Sequence, residues 1–355
     1  MLLARLSGTA KEFLDSEIKS VVLPELRNTL LTAGIDLNND PNAKFLICVN
    51  HNKQAYKEFI KNGGRVKNAI LIRLEPDAVY PKQYQPKVES KYGLIISPGS
   101  VHNISKFFGW PYKYHLNPAK PGDSDPSLLE ILDSNRTSSL FTYGNWIKRE
   151  HLLTMVASNR VSPVRSANYA LRRALAKTLP ISTLSVYGPL WNDSSGIKIL
   201  HRIAILVWAL KQGTFPNLHQ IYGNLFTKYS TTKGPILDKH ELLRQSKFSL
   251  VIENSNQTVT EKIFDSLING TIPIYVGANL QLANIPADLA FPIKGSEDEI
   301  IEIIKNHSKA EIVQKLDAIS KYLSSENFFK HWLHSNVYVS IGLEISQYIY
   351  RNTKD

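Results

Sequence analysis

Phe248-Ser-Leu-Val-Ile-Glu-Asn-Ser255, then Asn256-Gln-Thr-Val259, Thr260-Glu-Lys-Ile-Phe264 and Gly270-Thr-Ile-Pro-Ile-Tyr-Val-Gly277, decide the fold. Phe248–Ile252 is a short apolar run of the kind that forms a buried strand, and it ends in three polar residues, Glu253, Asn254 and Ser255. Thr260 is a natural N-cap for a helix over Thr260–Ile268, and Asn269-Gly270 leads into a second strand, Ile272–Val276, closed by Gly277. Strand, helix and strand make a βαβ unit, so the strands lie parallel and the helix N-terminus points free N–H groups above the sheet. Lys262 stands in the first helical turn, where the macrodipole disfavours a cation. An anion bound at that place resolves the conflict, and a diphosphate fits; a solvated surface lysine is the bland alternative.

Outward from this unit the same alternation recurs. Strand candidates upstream are Phe45–Val49, Ala69–Leu74, Gly93–Ser97, Leu153–Ala157 and Thr183–Tyr187. Helix candidates are Ser166–Lys177, Ile197–Leu210 and Lys239–Gln245, and beyond Lys294 the pattern turns helical through Asp298–Asn306, Lys309–Leu323 and Asn327–Tyr350. The Pro-, Gly- and Asp-rich stretch Asn117–Pro126 reads as a connector between two α/β halves. A length of 355 residues also suits two domains at roughly 150 residues each.

Composition narrows the function classes. Hydrophobic residues at 43% and charged residues at 21% exclude a disordered or collagen-like chain. A net charge of +11 suits a phosphate-bearing partner: nucleic acid, an anionic membrane surface or a nucleotide-linked substrate. Basic residues are not arrayed with aromatics, and Lys148-Arg149 and Arg172-Arg173 read as solvated helix faces, so nucleic acid is not expected. One cysteine, Cys48, permits no internal disulfide, reads as a buried thiol and suits a reducing, cytoplasmic compartment. Met1-Leu-Leu-Ala-Arg-Leu is charged too early for a signal peptide, and the apolar run Ile203–Leu210 is too short to cross a bilayer. Peripheral membrane contact stays open. Its candidates are the C-terminal aromatics Phe328, Phe329, Trp332, Tyr338 and Tyr348, for which packing on the domains is the expectation.

No Walker loop, dinucleotide fingerprint or zinc-protease helix is present. His331 and His334 read as a half-buried helix face, and Asp123-Ser-Asp125 as solvated connector rather than a metal site. No metal and no cofactor is expected.

Taken together, the motif residues resemble the C-terminal donor motif of the α-1,3/1,4-fucosyltransferases, glycosyltransferase family ten. The pattern is Phe-x-Leu-x-x-Glu-Asn-Ser, a short gap, Thr-Glu-Lys, then Gly-x-x-Pro-Ile-Tyr-x-Gly. Upstream, Ala157-Ser158-Asn159 with Arg165 is similar to the family's Ser-Asn…Arg element, and Val186-Tyr187-Gly188 to its strand-ending Tyr/Phe-Gly. In the first half only Leu74-Glu75-Pro76 matches. The resemblance implies an α/β, GT-B-like fold: two facing Rossmann-like domains, acceptor-side over 1–148 and donor-side over 149–330, with a C-terminal helix over 331–355. It implies transfer of L-fucose from GDP-fucose, as donor substrate, to a hydroxyl of a glycan acceptor, with inversion, no covalent intermediate and no metal. Carried over, Arg165 and Lys262 pair with the diphosphate, and Glu261 orients the nucleotide. Glu253 and Asn254 lie beside the fucose–phosphate junction; Ser158, Asn159, Tyr187, Gly188, Ser255 and Thr260 complete the donor site. Glu75 is the candidate general base. The chain departs from the family in two places. Gln257-Thr258-Val259 stands where a longer loop carries Asp-Tyr and an aliphatic residue, and Pro76 follows Glu75 with no intervening Ser. The same fold with another nucleotide sugar, and a non-catalytic nucleotide- or glycan-binding module, are the competing readings.

Overall fold

The computed structural model describes residues 1–8, 24–38, 40–97, 105–107, 128–137, 139–162, 164–191, 195–211, 218 and 228–353. The connector Asn117–Pro126, with Asp123 and Asp125, lies outside them. By contact the chain divides into two units, Met1–Pro111 with Lys330–Asp355, and Tyr112–Phe329.

In the first unit six strands form one parallel sheet: β1 (Leu2–Gly8), β2 (Ile35–Asn38), β3 (Phe45–Val49), β4 (Ala69–Ile72), β5 (Leu94–Ser97) and β6 (Ser105–Phe107), in the order β2-β1-β3-β4-β5-β6. A parallel sheet needs cover on both faces, which is why β3 and β4 are apolar at every position. Phe45, Ile47 and Val49 join one core and Leu46 and Cys48 the other, the period-two alternation of a strand. Helix α1 (Pro24–Thr32) covers the first core and α2 (Lys53–Lys61) the second. Burial pushes the Cys48 thiol up to about 11, so it is an inert core group.

Among the described residues, β7 (His151–Val156), β8 (Leu184–Tyr187), β9 (Thr232–Gly234), β10 (Ser246–Ile252), β11 (Ile272–Val276) and β12 (Phe291–Pro292) make the second unit's own parallel sheet, in the order β12-β11-β10-β7-β8-β9.

 Six strands therefore make this sheet, and beyond β12 the regular structure is helical throughout. Its helices include α3 (Tyr169–Thr178), α4 (Ser195–Lys211), α5 (Lys239–Arg244), α6 (Glu261–Ile268), α7 (Glu297–Asn306) and α8 (Lys309–Leu323). From β7 the chain runs outward through β8 and β9, then crosses to β10 on the other side of β7 and runs outward again. The strand order reverses between β7 and β10, and such a switch point opens a crevice at the carboxyl ends of the two strands.

The last helix, α9 (His334–Thr353), returns to the first unit. It lays Val337, Tyr338, Ile341, Ile345 and Ile349 onto the same core as α1, at the three- and four-residue spacing of one helix face. Tyr348 Oη donates to Lys67 O at 2.9 Å. Phe328 and Trp332 are fully buried as well, so these aromatics pack into the protein.

In the two basic pairs Lys148 is exposed as expected, but the three arginines differ from their sequence reading. Arg149 is buried at the amino end of the second sheet, donating to Ser246 O (2.9 Å), Gly270 O (2.8 Å) and Leu140 O (3.1 Å), and burial pushes its guanidinium down to about 10. Arg172 and Arg173 lie on the buried stripe of α3 with Leu175 and Ala176. Carbonyl acceptors at strand and loop ends replace water around these three groups.

Candidate functional site

Glu253 continues β10 by one residue, its N–H donating to Val276 O at 2.9 Å, and its side chain is fully buried. Both carboxylate oxygens are taken by Thr260: the backbone N donates to Oε1 at 2.8 Å and the hydroxyl to Oε2 at 2.6 Å. Thr260 does occupy the N-cap of α6, but its hydroxyl serves Glu253 and makes no capping bond to the helix. Thr260 therefore puts no side-chain oxygen on the first-turn N–H groups of α6, an arrangement that suits an anion. Gly277 completes the corner. A Cβ there would collide with Tyr275 Oη and come within 2.6 Å of Glu253 Cγ, so glycine is needed where β11 ends.

Lys262 projects from the same turn and is 20% exposed. Its ammonium donates to Thr260 Oγ1 at 2.7 Å and lies 3.4 Å from Glu261 Oε1 and 3.6 Å from Glu253 Oε2. Burial pulls its pKa down, but Glu261 and Glu253 outweigh that, and the ammonium is held above its ordinary value. Burial raises Glu253 above the usual carboxylate range against the pull of Lys262 and Thr260. At Glu261 burial pushes up, yet Lys262 and the backbone bring the carboxyl below that range.

Across the switch point, the segment after β7 is fixed to β8. Ala157 N donates to Tyr187 O at 2.9 Å, and Asn159 N donates to Pro189 O at 3.0 Å, while Asn159 Nδ2 reaches Leu190 O at 3.2 Å. Gly188, at φ +137°, sits against Ala157 O so closely that a Cβ would collide with it. Asn159 and Gly188 thus shape backbone, whereas Ser158 and Tyr187 remain half-exposed. The approach to α3 then crosses to the β10 side. Ala167 bridges Ser255, Asn168 N donates to Asn254 O at 3.0 Å, and Asn168 Nδ2 donates to Asn256 Oδ1 at 2.7 Å. Arg165, exposed, stands two residues before that bridge. The segments carrying Ser158, Arg165, Asn254 and Ser255 are in this way gathered at the carboxyl ends of β7 and β10.

Sequence reasoning missed Arg172. Its Nη2 donates to Asn254 Oδ1 at 3.0 Å and to Ile252 O, and its guanidinium lies 4.9 Å from the Tyr169 ring centroid. It fixes both the end of β10 and the amide of Asn254. The available signal was its place at helical spacing with Leu175, Ala176 and Leu179, on the stripe that faces the sheet.

Glu75 belongs to the first unit, three residues past β4, and is half-buried. Its N–H donates to Asn50 Oδ1 at 3.1 Å, and its carbonyl accepts from Gln83 Nε2 at 2.7 Å and Tyr84 Oη at 3.0 Å. Asn50, at φ +56°, also accepts from Leu74 N at 2.9 Å. Buried beside it, His51 bonds Tyr92 Oη through Nδ1 at 2.7 Å, and burial with Lys91, Lys82 and Lys53 pushes the imidazole down to about 4. None of Asn50, His51 and Gln83 was singled out from the sequence, because their roles depend on contacts up to 41 residues away.

No family model matches the chain. A putative fucosyltransferase-like protein from Arabidopsis thaliana is 43% identical over 65 residues, 18% of this chain, and the match spans 13% of that relative's length. An α1,3-fucosyltransferase crystallised with GDP superposes with a TM-score of 0.48 and 18% identity over 98% of this chain and 89% of its own. HepE from Anabaena, crystallised with UDP and glucose, gives a TM-score of 0.52 and 11% identity over 98% of this chain and all of its own. With two parallel α/β units and a C-terminal helix, the chain has the GT-B-like fold.

Proposed function

We propose that the chain is a glycosyltransferase, and specifically one that moves L-fucose from GDP-fucose to a glycan hydroxyl with inversion and without a metal. The observation that carries this reading is the uncapped N-terminus of α6 with Lys262 in its first turn, set at the switch point beside the segment of Arg165. As the donor bond breaks, the leaving diphosphate gains negative charge. Lys262, Arg165 and the helix N–H groups stabilise it, the task a metal performs elsewhere. Glu261, half-exposed next to Lys262, orients the nucleotide through its ribose hydroxyls. Asn254 faces the sugar–phosphate junction with its amide set by Arg172. Glu253, with both oxygens held by Thr260, acts as a positioning residue that keeps Lys262 in place. The acceptor oxygen attacks the anomeric carbon as the bond to phosphate breaks, and its proton passes to Glu75.

A second reading keeps the chemistry and changes the donor. Its support is the short loop Gln257-Thr258-Val259, where Thr258 and Val259 are buried and the aromatic residue of the family pattern is missing. Thermal melts with GDP and with UDP separate the two. Stabilisation by GDP is expected; stabilisation by UDP alone would replace fucose with another sugar, and by neither would remove the nucleotide site.

A further inference from the structure

Helix α4 has a buried inner face and an exposed outer one. Arg202 and Ala209 are buried on its inner face. On its outer face Leu200 is 69% exposed, Ile203 46%, Val207 46% and Leu210 62%, a stripe at spacings of three, four and three residues. Exposed apolar side chains scattered singly need no explanation, but here they are concentrated. Leu218 and Leu237 are exposed as well, so six of the eighteen large exposed apolar side chains of the described residues fall between Ser194 and Leu237. The charge of that stretch is equally biased. It contains no Asp or Glu, although Asp193 and Asp238 bound it, and it carries Lys198, Lys211, Lys228 and Lys233 besides the buried Arg202. Lys211, at the end of the helix, is exposed.

We propose that this face docks on an anionic lipid surface. An apolar stripe with exposed Lys211 at its end, and with Lys228 and Lys233 exposed in the same stretch, buries its side chains at the headgroup–acyl boundary while these lysines meet anionic headgroups. The chain's net charge of +11 acts in the same direction. Among the described residues no helix is long and apolar enough to cross a membrane, so the proposed association is along the surface. A second copy of the chain fits less well, because four side chains cover only a part of the ~800 Å² per partner of a standard interface and the matching face would be equally cationic. The proposal is independent of the donor and acceptor chemistry.

The test is flotation of the full chain with vesicles of phosphatidylcholine alone and of equimolar phosphatidylcholine and phosphatidylglycerol. Binding to the anionic vesicles only, weakened by salt, is expected. The double variant Leu200→Ser/Val207→Ser, with an unchanged melting temperature because both side chains are exposed, should lose at least ~10-fold in bound fraction. Lys211→Glu should lose less. Absence of wild-type binding, equal binding to neutral vesicles, or undiminished binding of the folded double variant would overturn the proposal. So would a concentration-dependent dimer that the double variant abolishes, since the stripe would then meet another copy.

Discussion

In the first turn of α6 the helix dipole disfavours a cation, and Lys262 is kept there by three acceptors, on Thr260, Glu261 and Glu253. Thr260 is the centre of this cluster, since its hydroxyl donates to a fully buried carboxylate and accepts from the ammonium. Thr260→Val should therefore lower stability by ~1–3 kcal/mol, the cost of leaving a buried acceptor without its donor. Denaturant unfolding with an unchanged midpoint would contradict that role. Glu75 has a different assignment. Glu75→Gln should remove nearly all transfer and leave GDP affinity alone, and retention of most turnover would place the base elsewhere. Lys262 was legible in the sequence because it broke a local rule. Arg172 was not, because a helical arginine reads as solvated until the carbonyl of Ile252 and the amide of Asn254, eighty residues on, are seen to hold it.

At the scale of elements, legibility followed burial. Phe45–Val49 and Ile272–Val276 are strands over the bounds read from the sequence, since both are buried at every position. β9 and β12, with three and two residues, carry too little pattern to read. β1 was passed over because its seven residues mix apolar side chains with Arg5 and Ser7, although it lies between β2 and β3. The C-terminal helix shows the same logic in reverse. Its aromatic residues left lipid contact open, and the structure instead buries Ile341, Ile345 and Ile349 against α1 and the first sheet. Ile345→Ala should cost ~2–5 kcal/mol, as for other large-to-small core changes, read from the unfolding midpoint. A cost below ~0.5 kcal/mol would mean that α9 is dispensable to the core.

At the scale of the whole molecule, the two α/β units share one plan, a six-stranded parallel sheet with helices between its strands. Stability of the first unit should depend on pH through His51. Its folded pKa of about 4 lies below the ordinary 6.5, so the fold favours the neutral ring. That contribution is fully present above 6.5 and is lost as pH falls toward 4, by up to roughly 3 kcal/mol. His51→Gln should flatten the acid limb of the stability profile; an unchanged limb would assign it to other groups. The donor pocket is the claim on which the functional account stands, and calorimetric titration of GDP tests it most directly. The account predicts that the wild type binds and that Lys262→Ala and Arg165→Ala each weaken binding by ~1.5–3 kcal/mol, the range for hydrogen bonds to charged groups. Unchanged affinity in both folded variants would contradict it.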